Sequence, residues 1–457
     1  MSTEKLTKKQ LIGYSLGGIP AGLLIYIFNL KYIELFFDDL QLLPILFIIG
    51  QVIYMTINAL NDPLLGQLSD RTNREKWGSR RLIYIKYGGP IWAITFLLVW
   101  FPWSFDNQLI IFIHYTLSIC LFDTLFTLVI LCWMALLPEM TMDIKERNKA
   151  NFFVLVFGMI FVIPFYLIVG PMVTTTSIFR IFMVLIAIIS TIFLIIVVVV
   201  SEEKPEFQKD EVFTFWTSIK ETVKSKSFLL FIGYNFMGSL TGSIGLSYLF
   251  VYSLILGPNP GTATVLYFIV FIFIGYSAYI VCMKLQSKWG MRTVILRFGV
   301  VRTLILLGTF IIILIPGLNF FIWIGFILNT FFAGYGVYTI GALMYLSVDE
   351  DEVKHGIRRE GMFLGINALL TKPASSIGPI IATFVLVAFG YIQGSETQPD
   401  SALIGIKMLF FLWPAIFTAV SLIFIYFYPL HGEKLMDMRR KMEEIHQQKR
   451  EKLEKKL

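Results

Sequence analysis

Twelve apolar runs, each about as long as a bilayer is thick, recur along this chain, and few other features constrain a fold so strongly. A helix needs about 20 apolar residues to cross a bilayer. The runs are read at about 11–37, 43–69, 82–101, 109–137, 152–169, 178–200, 228–256, 263–285, 294–315, 320–346, 362–389 and 402–428. Of the 457 residues, 56% are hydrophobic and 15% charged, against roughly 25% charged in soluble domains. The expected class is therefore an all-α membrane protein. The only long polar stretches are an internal one at 201–227 and the tail at 432–457.

Charge orders the topology. Lys and Arg fill the loops after predicted helices 2, 4, 6, 8 and 10 and nearly vanish from the alternate ones. The positive-inside rule then places both termini in the cytoplasm of a multi-pass cell-membrane protein. The same rule explains the net charge of +7, so nucleic acid is not an expected partner. Cys120, Cys132 and Cys282 fall in apolar runs without metal or disulfide spacing. With no phosphate loop and no metal motif, neither catalysis nor ATP-driven transport is expected. The mixed-charge tail reads as a solvated helix that touches membrane lipid, and a monomer is expected.

The loops repeat. Lys76-Trp77-Gly78-Ser79-Arg80 follows predicted helix 2, and Lys288-Trp289-Gly290-Met291-Arg292 follows predicted helix 8. The offset of 212 residues also carries Glu146 onto Arg358. Two six-helix halves in parallel orientation are expected, a first bundle at 1–200 and a second at 228–431, joined by the cytoplasmic linker 201–227. A site between such halves lies near the bilayer midplane.

Ionisable groups at membrane depth are costly and mark functional sites. Asp62 stands inside predicted helix 2, one turn after Asn58, so the two share a face. Asp123 and His114 stand on predicted helix 4, towards its outer end, and Lys372 on predicted helix 11. Asn235, Tyr338 and Asn367 are polar groups in apolar helices of the second half. Either interhelical hydrogen bonds or a pocket would account for them.

Three motifs carry a resemblance. The first is Asn61-Asp62-Pro63-Leu64-Leu65-Gly66, followed by Asp70-Arg71-Thr72 and Trp77-Gly78-Ser79-Arg80-Arg81. The second is Leu137-Pro138-Glu139-Met140-Thr141 with Asp143 and Glu146-Arg147. The third runs from Asp349 to Phe363 through Arg358-Arg359-Glu360, with Lys372 in the next helix. In this order they resemble the glycoside–pentoside–hexuronide:cation symporter family of the major facilitator superfamily, whose best-known member is the melibiose permease.

The resemblance implies alternating-access symport of a sugar or glycoside with a monovalent cation, Na⁺ or H⁺, and no other cofactor. It implies a cation site at Asp62 and Asn58, where the melibiose permease has two aspartates. It implies a coupling role for Lys372, with Asp123, Asn235, Tyr338 and Asn367 as candidate substrate or coupling groups. It also implies a cytoplasmic gate built from Asp70, Arg71, Arg80, Arg81, Glu139, Asp143, Arg147, Arg358, Arg359 and Glu360. The sugar-binding carboxylates of the melibiose permease fall here on Gly22 and Ile130. That loss leaves an amphiphile such as a lysophospholipid as the rival substrate, and a non-transporting sensor as the rival function.

Overall fold

A computed structural model describes residues 6–70, 72–141, 144–203, 224–257, 260–356, 360–395 and 397–454. Side chains at some helix positions, Asp70, Tyr338 and Glu360 among them, lie outside that description. The described residues form helices and no strand. The physical reason is the solvent: inside a bilayer each backbone N–H and C=O needs an internal partner, and a helix supplies all of them locally.

In the first half the helices are α1 (Lys8–Ser15), α2 (Gly18–Ile33), α3 (Pro44–Asp70), α4 (Arg74–Trp77), α5 (Leu82–Trp100), α6 (Gln108–Met140), α7 (Ile144–Val169) and α8 (Ser177–Val200). A π-helical turn, Glu34–Asp39, closes α2. Polar caps set several starts. Asn107 accepts from the N–H groups of Leu109 and Ile110 at the head of α6, and Thr176 from Phe179 at the head of α8. Such caps satisfy the donors that a helix start leaves open.

The second half continues with α9 (Lys226–Ser247), α10 (Leu249–Leu256), α11 (Pro260–Trp289), α12 (Met291–Ile313), α13 (Phe321–Ala333) and α14 (Gly336–His355). It ends with α15 (Glu360–Thr371), α16 (Ala374–Ala388), α17 (Asp400–Lys407), α18 (Trp413–Tyr426) and the tail helix α19 (Gly432–Glu454).

Eleven segments among the described residues are long and apolar enough to cross a membrane. The predicted run absent from these eleven is 320–346, of which Phe321–Ala333 is a shorter apolar helix. Predicted helix 320–346 comes as two pieces, α13 and α14, parted at Gly334 and Tyr335. A Cβ at Gly334 would lie 2.4 Å from Ala278 Cβ, so the chain bends where it touches α11. Predicted helix 228–256 breaks at Tyr248, and predicted helix 362–389 breaks at Lys372 and Pro373. Proline lacks the N–H a helix needs. The Lys372 carbonyl accepts from the N–H and hydroxyl of Ser375.

By spatial contact the chain divides into two compact units. The first is Met1–Val212 with Gly245–Val265 and Pro379–Ala402, and the second is Phe213–Ile244, Leu266–Gly378 and Leu403–Leu457. In the first, α6 packs against α3 and α5, and α2 against α7. The α2–α7 approach is close because of glycine: a Cβ at Gly22 would lie 2.5 Å from Val162 Cγ2. In the second, α12 packs on α13 and α18, around a core that includes Phe228, Ile295, Phe298, Leu343 and Phe363.

Candidate functional site

The polar residues of α3 fall on one stripe. Gln51, Tyr54, Asn58 and Asn61 follow one another at intervals of three or four, the spacing of a single helix face. All four are buried, and the stripe meets α6. There Asp123, only 4% exposed, accepts from the Tyr54 hydroxyl at 3.1 Å and from Asn61 Nδ2 at 3.3 Å. Asn61 also bonds the Thr124 hydroxyl at 3.1 Å. Asn58 Nδ2 donates to the Tyr54 oxygen at 3.4 Å. Higher on the stripe, Gln51 Nε2 donates to the hydroxyls of Tyr115 (2.6 Å) and Tyr32 (3.2 Å).

The direction of this network follows from a count of hydrogens. Tyr54 has one, and it goes to Asp123, so its oxygen is free to accept from the Asn58 amide. That fixes the Asn58 orientation. The Asn58 carbonyl oxygen is then buried with no hydrogen-bond partner among the described residues. A carboxylate and an orphaned amide oxygen on one seam are donors suited to a small hard cation. Asp62, half-buried, is the next residue after Asn61 on α3. Of the residues singled out in the sequence, Asn58 and Asp123 lie in this network. Tyr54, Asn61 and Gln51, whose spacing on α3 was a usable signal, and Thr124 on α6 were not singled out as site residues.

His114, fully buried, bonds the Leu98 carbonyl at 2.7 Å and lies against Trp103 and Phe36. Those contacts tie α6 to its neighbours, and the ring serves packing. In the second unit Asn235 Nδ2 donates to Asn367 Oδ1 at 2.9 Å, joining α9 to α15. The Tyr338 side chain lies outside the described residues. Lys372 sits at the break between α15 and α16, half-buried.

Of the expected gate residues, Arg80 and Arg81 converge on Glu139 at the end of α6, at 3.0 and 2.6 Å. Glu139 is 4% exposed. Arg147 holds the carbonyls of Thr141 and Pro138, at 2.8 and 3.3 Å. Arg71, Asp143, Arg358 and Arg359, and the side chains of Asp70 and Glu360, lie outside the described residues. Glu203 was not among the residues expected at this gate. Its carboxylate accepts the backbone N–H groups of Arg80, Arg81 and Leu82 at 2.7–2.8 Å. A carboxylate there satisfies the open donors at the start of α5 and complements the helix dipole.

A second unforeseen cluster joins the turn after α2 to the turn after α16, both within the first unit. Asp38 accepts from the Tyr391 hydroxyl at 2.8 Å and the Gly394 N–H at 2.9 Å. Gln393 Nε2 donates to the carbonyls of Phe37 and Leu42, at 2.6 and 3.0 Å. Burial and the Asp38 charge push the Tyr391 phenol well above its ordinary pKa, so it stays a donor. Nearby, buried Lys31 pairs with Glu34 at 2.7 Å and bonds the Met172 carbonyl.

These features sit in a recognised sequence frame. The profile of the family described as "MFS/sugar transport protein" matches residues 13–432. The chain belongs to that family. It is accordingly a multi-pass membrane transporter, not an enzyme.

Relatives widen the picture. Transmembrane protein 180 of Gallus gallus is 24% identical, over 80% of this chain and 78% of its own. A putative glycoside/cation symporter, YagG, of Escherichia coli is 23% identical, over 96% of this chain and 95% of its own. Among solved structures, a D-xylose-proton symporter superposes with a TM-score of 0.60 at 14% identity, covering 92% of this chain and 97% of that one. At that identity the likeness shows the major-facilitator fold alone.

Proposed function

We propose that the protein is a symporter that moves a sugar- or glycoside-type solute by alternating access, coupled to a monovalent cation. The observation that carries this reading is the α3–α6 seam. A buried carboxylate, Asp123, is held by Tyr54 and Asn61, Tyr54 in turn accepts from Asn58, and Asp62 follows Asn61 in sequence. A carboxylate at membrane depth is stable either protonated or balanced by a cation. Alternation between those states is what coupling requires. The relative described as a glycoside/cation symporter and the fold shared with a D-xylose-proton symporter support the same choice.

Lys372 is assigned the competing positive charge. Arg80, Arg81, Glu139 and Arg147, with Asp70, Arg71, Asp143, Arg358, Arg359 and Glu360, are assigned to the cytoplasmic gate, and both termini to the cytoplasm. Melibiose is not the expected solute: Gly22 and Ile130 stand where the sugar-binding carboxylates of the melibiose permease would fall, and a Cβ at Gly22 would lie 2.5 Å from Val162 Cγ2.

The test is uptake into proteoliposomes of a panel of glycosides, uronides and lysophospholipids under an imposed Na⁺ or pH gradient. At least one glycoside should accumulate above its equilibrium level with one gradient and not without it. Accumulation of lysophospholipids alone would replace the solute class. Binding without flux under either gradient would make the protein a sensor and end the transport reading.

A further inference from the structure

Around the turn between α11 and α12, Lys284, Lys288 and Arg297 have no ion-pair partner among the described residues. From 222 to 348 the sequence contains no Asp or Glu. In the same stretch Lys284 and Lys288 near the end of α11, and Arg297 on α12, are exposed. Other cations of this region are satisfied by neutral oxygens: Arg292 by the carbonyls of Ile425 and Tyr426 at the end of α18, Arg302 by Asn329. Arg297 instead lies over the Trp289 ring, 4.4 Å from its centroid.

Beside that stacked pair is an open groove of about 580 Å³, lined by Leu296, Phe298, Val300, Val301 and Phe332 together with Trp289 and the Arg297 stem. The turn at Gly290 separates two membrane-length segments, Val265–Trp289 and Met291–Ile313. It therefore stands where the hydrocarbon ends and the headgroups begin. Trp and Arg are the residues that suit this level, with an apolar body in the lipid and a polar tip at the interface.

We propose that this groove is a binding site for one anionic phospholipid. Its phosphate sits against the Arg297 guanidinium, within reach of the field of Lys284 and Lys288, and an acyl chain lies in the groove. The guanidinium that lies over Trp289 offers its N–H groups to a phosphate oxygen, the anion for which Arg is suited. The positive-inside reading puts this turn in the leaflet that holds the anionic lipids. Zwitterionic lipid offers the same chain but no net charge, so selectivity for the headgroup separates a site from ordinary lipid contact. The assignment does not depend on which solute or ion is carried.

The experiment is fluorescence quenching of the full-length protein in nanodiscs by phospholipids brominated on the acyl chain. The Trp289 signal is the difference between wild type and Trp289→Phe. Brominated phosphatidylglycerol should quench it at a mole fraction more than about tenfold lower than brominated phosphatidylcholine, given three basic residues near the surface. Arg297→Gln should lose roughly five-fold of that preference, and Arg297→Lys should keep part of it, because charge is retained and the fork is not. Inorganic phosphate should not restore fluorescence. Equal quenching by the two lipids, unchanged preference in Arg297→Gln, or displacement by inorganic phosphate would each overturn the proposal.

Discussion

The helices α3 and α11 occupy equivalent places in the repeat, and their differences separate scaffold from chemistry. A Lys-Trp-Gly turn follows each, after the short α4 in the first copy and at the end of α11 in the second, and both glycines take a left-handed backbone, Gly78 at φ 75° and Gly290 at φ 77°. Before the turn the two diverge. Positions 51, 54, 58, 61 and 62 are Gln, Tyr, Asn, Asn and Asp. At the 212-residue offset stand Ala263, Leu266, Val270, Phe273 and Ile274. Asn61 is 7% exposed and faces α6, whereas Phe273 is 70% exposed. The duplicated backbone thus carries a polar seam in one copy only, and the coupling chemistry we propose belongs to that copy.

The turns diverge in their ion chemistry as well. Arg80 reaches a buried carboxylate, Glu139. Arg292, its equivalent, reaches the carbonyl end of α18. Asp351, at the offset from Glu139, pairs with His355 at 3.0 Å. One repeat is pinned by an ion pair and the other by a helix terminus.

The sharpest way to break the comparison is to write the second copy into the first. Asn61→Phe removes a donor from buried Asp123 and overfills the seam. A cost of roughly 3–5 kcal/mol is expected, read as a large fall in melting temperature in detergent. Phe273→Asn should leave the cation dependence of uptake unchanged. Next in size, Glu139→Ala strands two arginines and should cost about 3 kcal/mol. Arg292→Ala should cost only about 1–2 kcal/mol, because it loses hydrogen bonds to helix-end carbonyls without stranding a charge. Equal losses would mean the two turns are pinned alike. The smallest effect should be the most symmetric: Gly78→Ala and Gly290→Ala each force a side chain into left-handed backbone, costing about 1 kcal/mol apiece. A marked inequality would show that the shared motif does not do the same work twice.

How much of this the sequence disclosed depends on the kind of interaction. The helical class followed from apolar run length, because a bilayer leaves the backbone no other partner. The breaks at Gly334 and Tyr248 were not legible, since each involves a neighbour: Ala278 against Gly334, or the Pro379 carbonyl that takes the Tyr248 hydroxyl at 2.9 Å; the break at Lys372 was legible in Pro373. Asp62 and Asp123 stood out because charge is rare in apolar runs. Tyr54 and Thr124 did not, because a hydroxyl in such a run bonds its own helix as readily as another. The contact of Asp38 with Tyr391 and Gly394 joins residues over 350 positions apart, and no local pattern announces it. Glu203 sat in a polar stretch where one carboxylate looks like any other.

The central claim, that the α3–α6 seam carries the coupling, is tested most directly by Asp62→Asn and Asp123→Asn in proteoliposomes. Both changes keep shape while removing a titratable charge; at Asp123, which accepts on both oxygens, the amide also turns one acceptor into a donor. For each, gradient-driven accumulation and solute exchange without a gradient would be measured side by side. The account predicts that accumulation falls to background in one or both variants while exchange persists. Wild-type accumulation in the variant lacking both carboxylates would contradict it and place the coupling elsewhere in the protein.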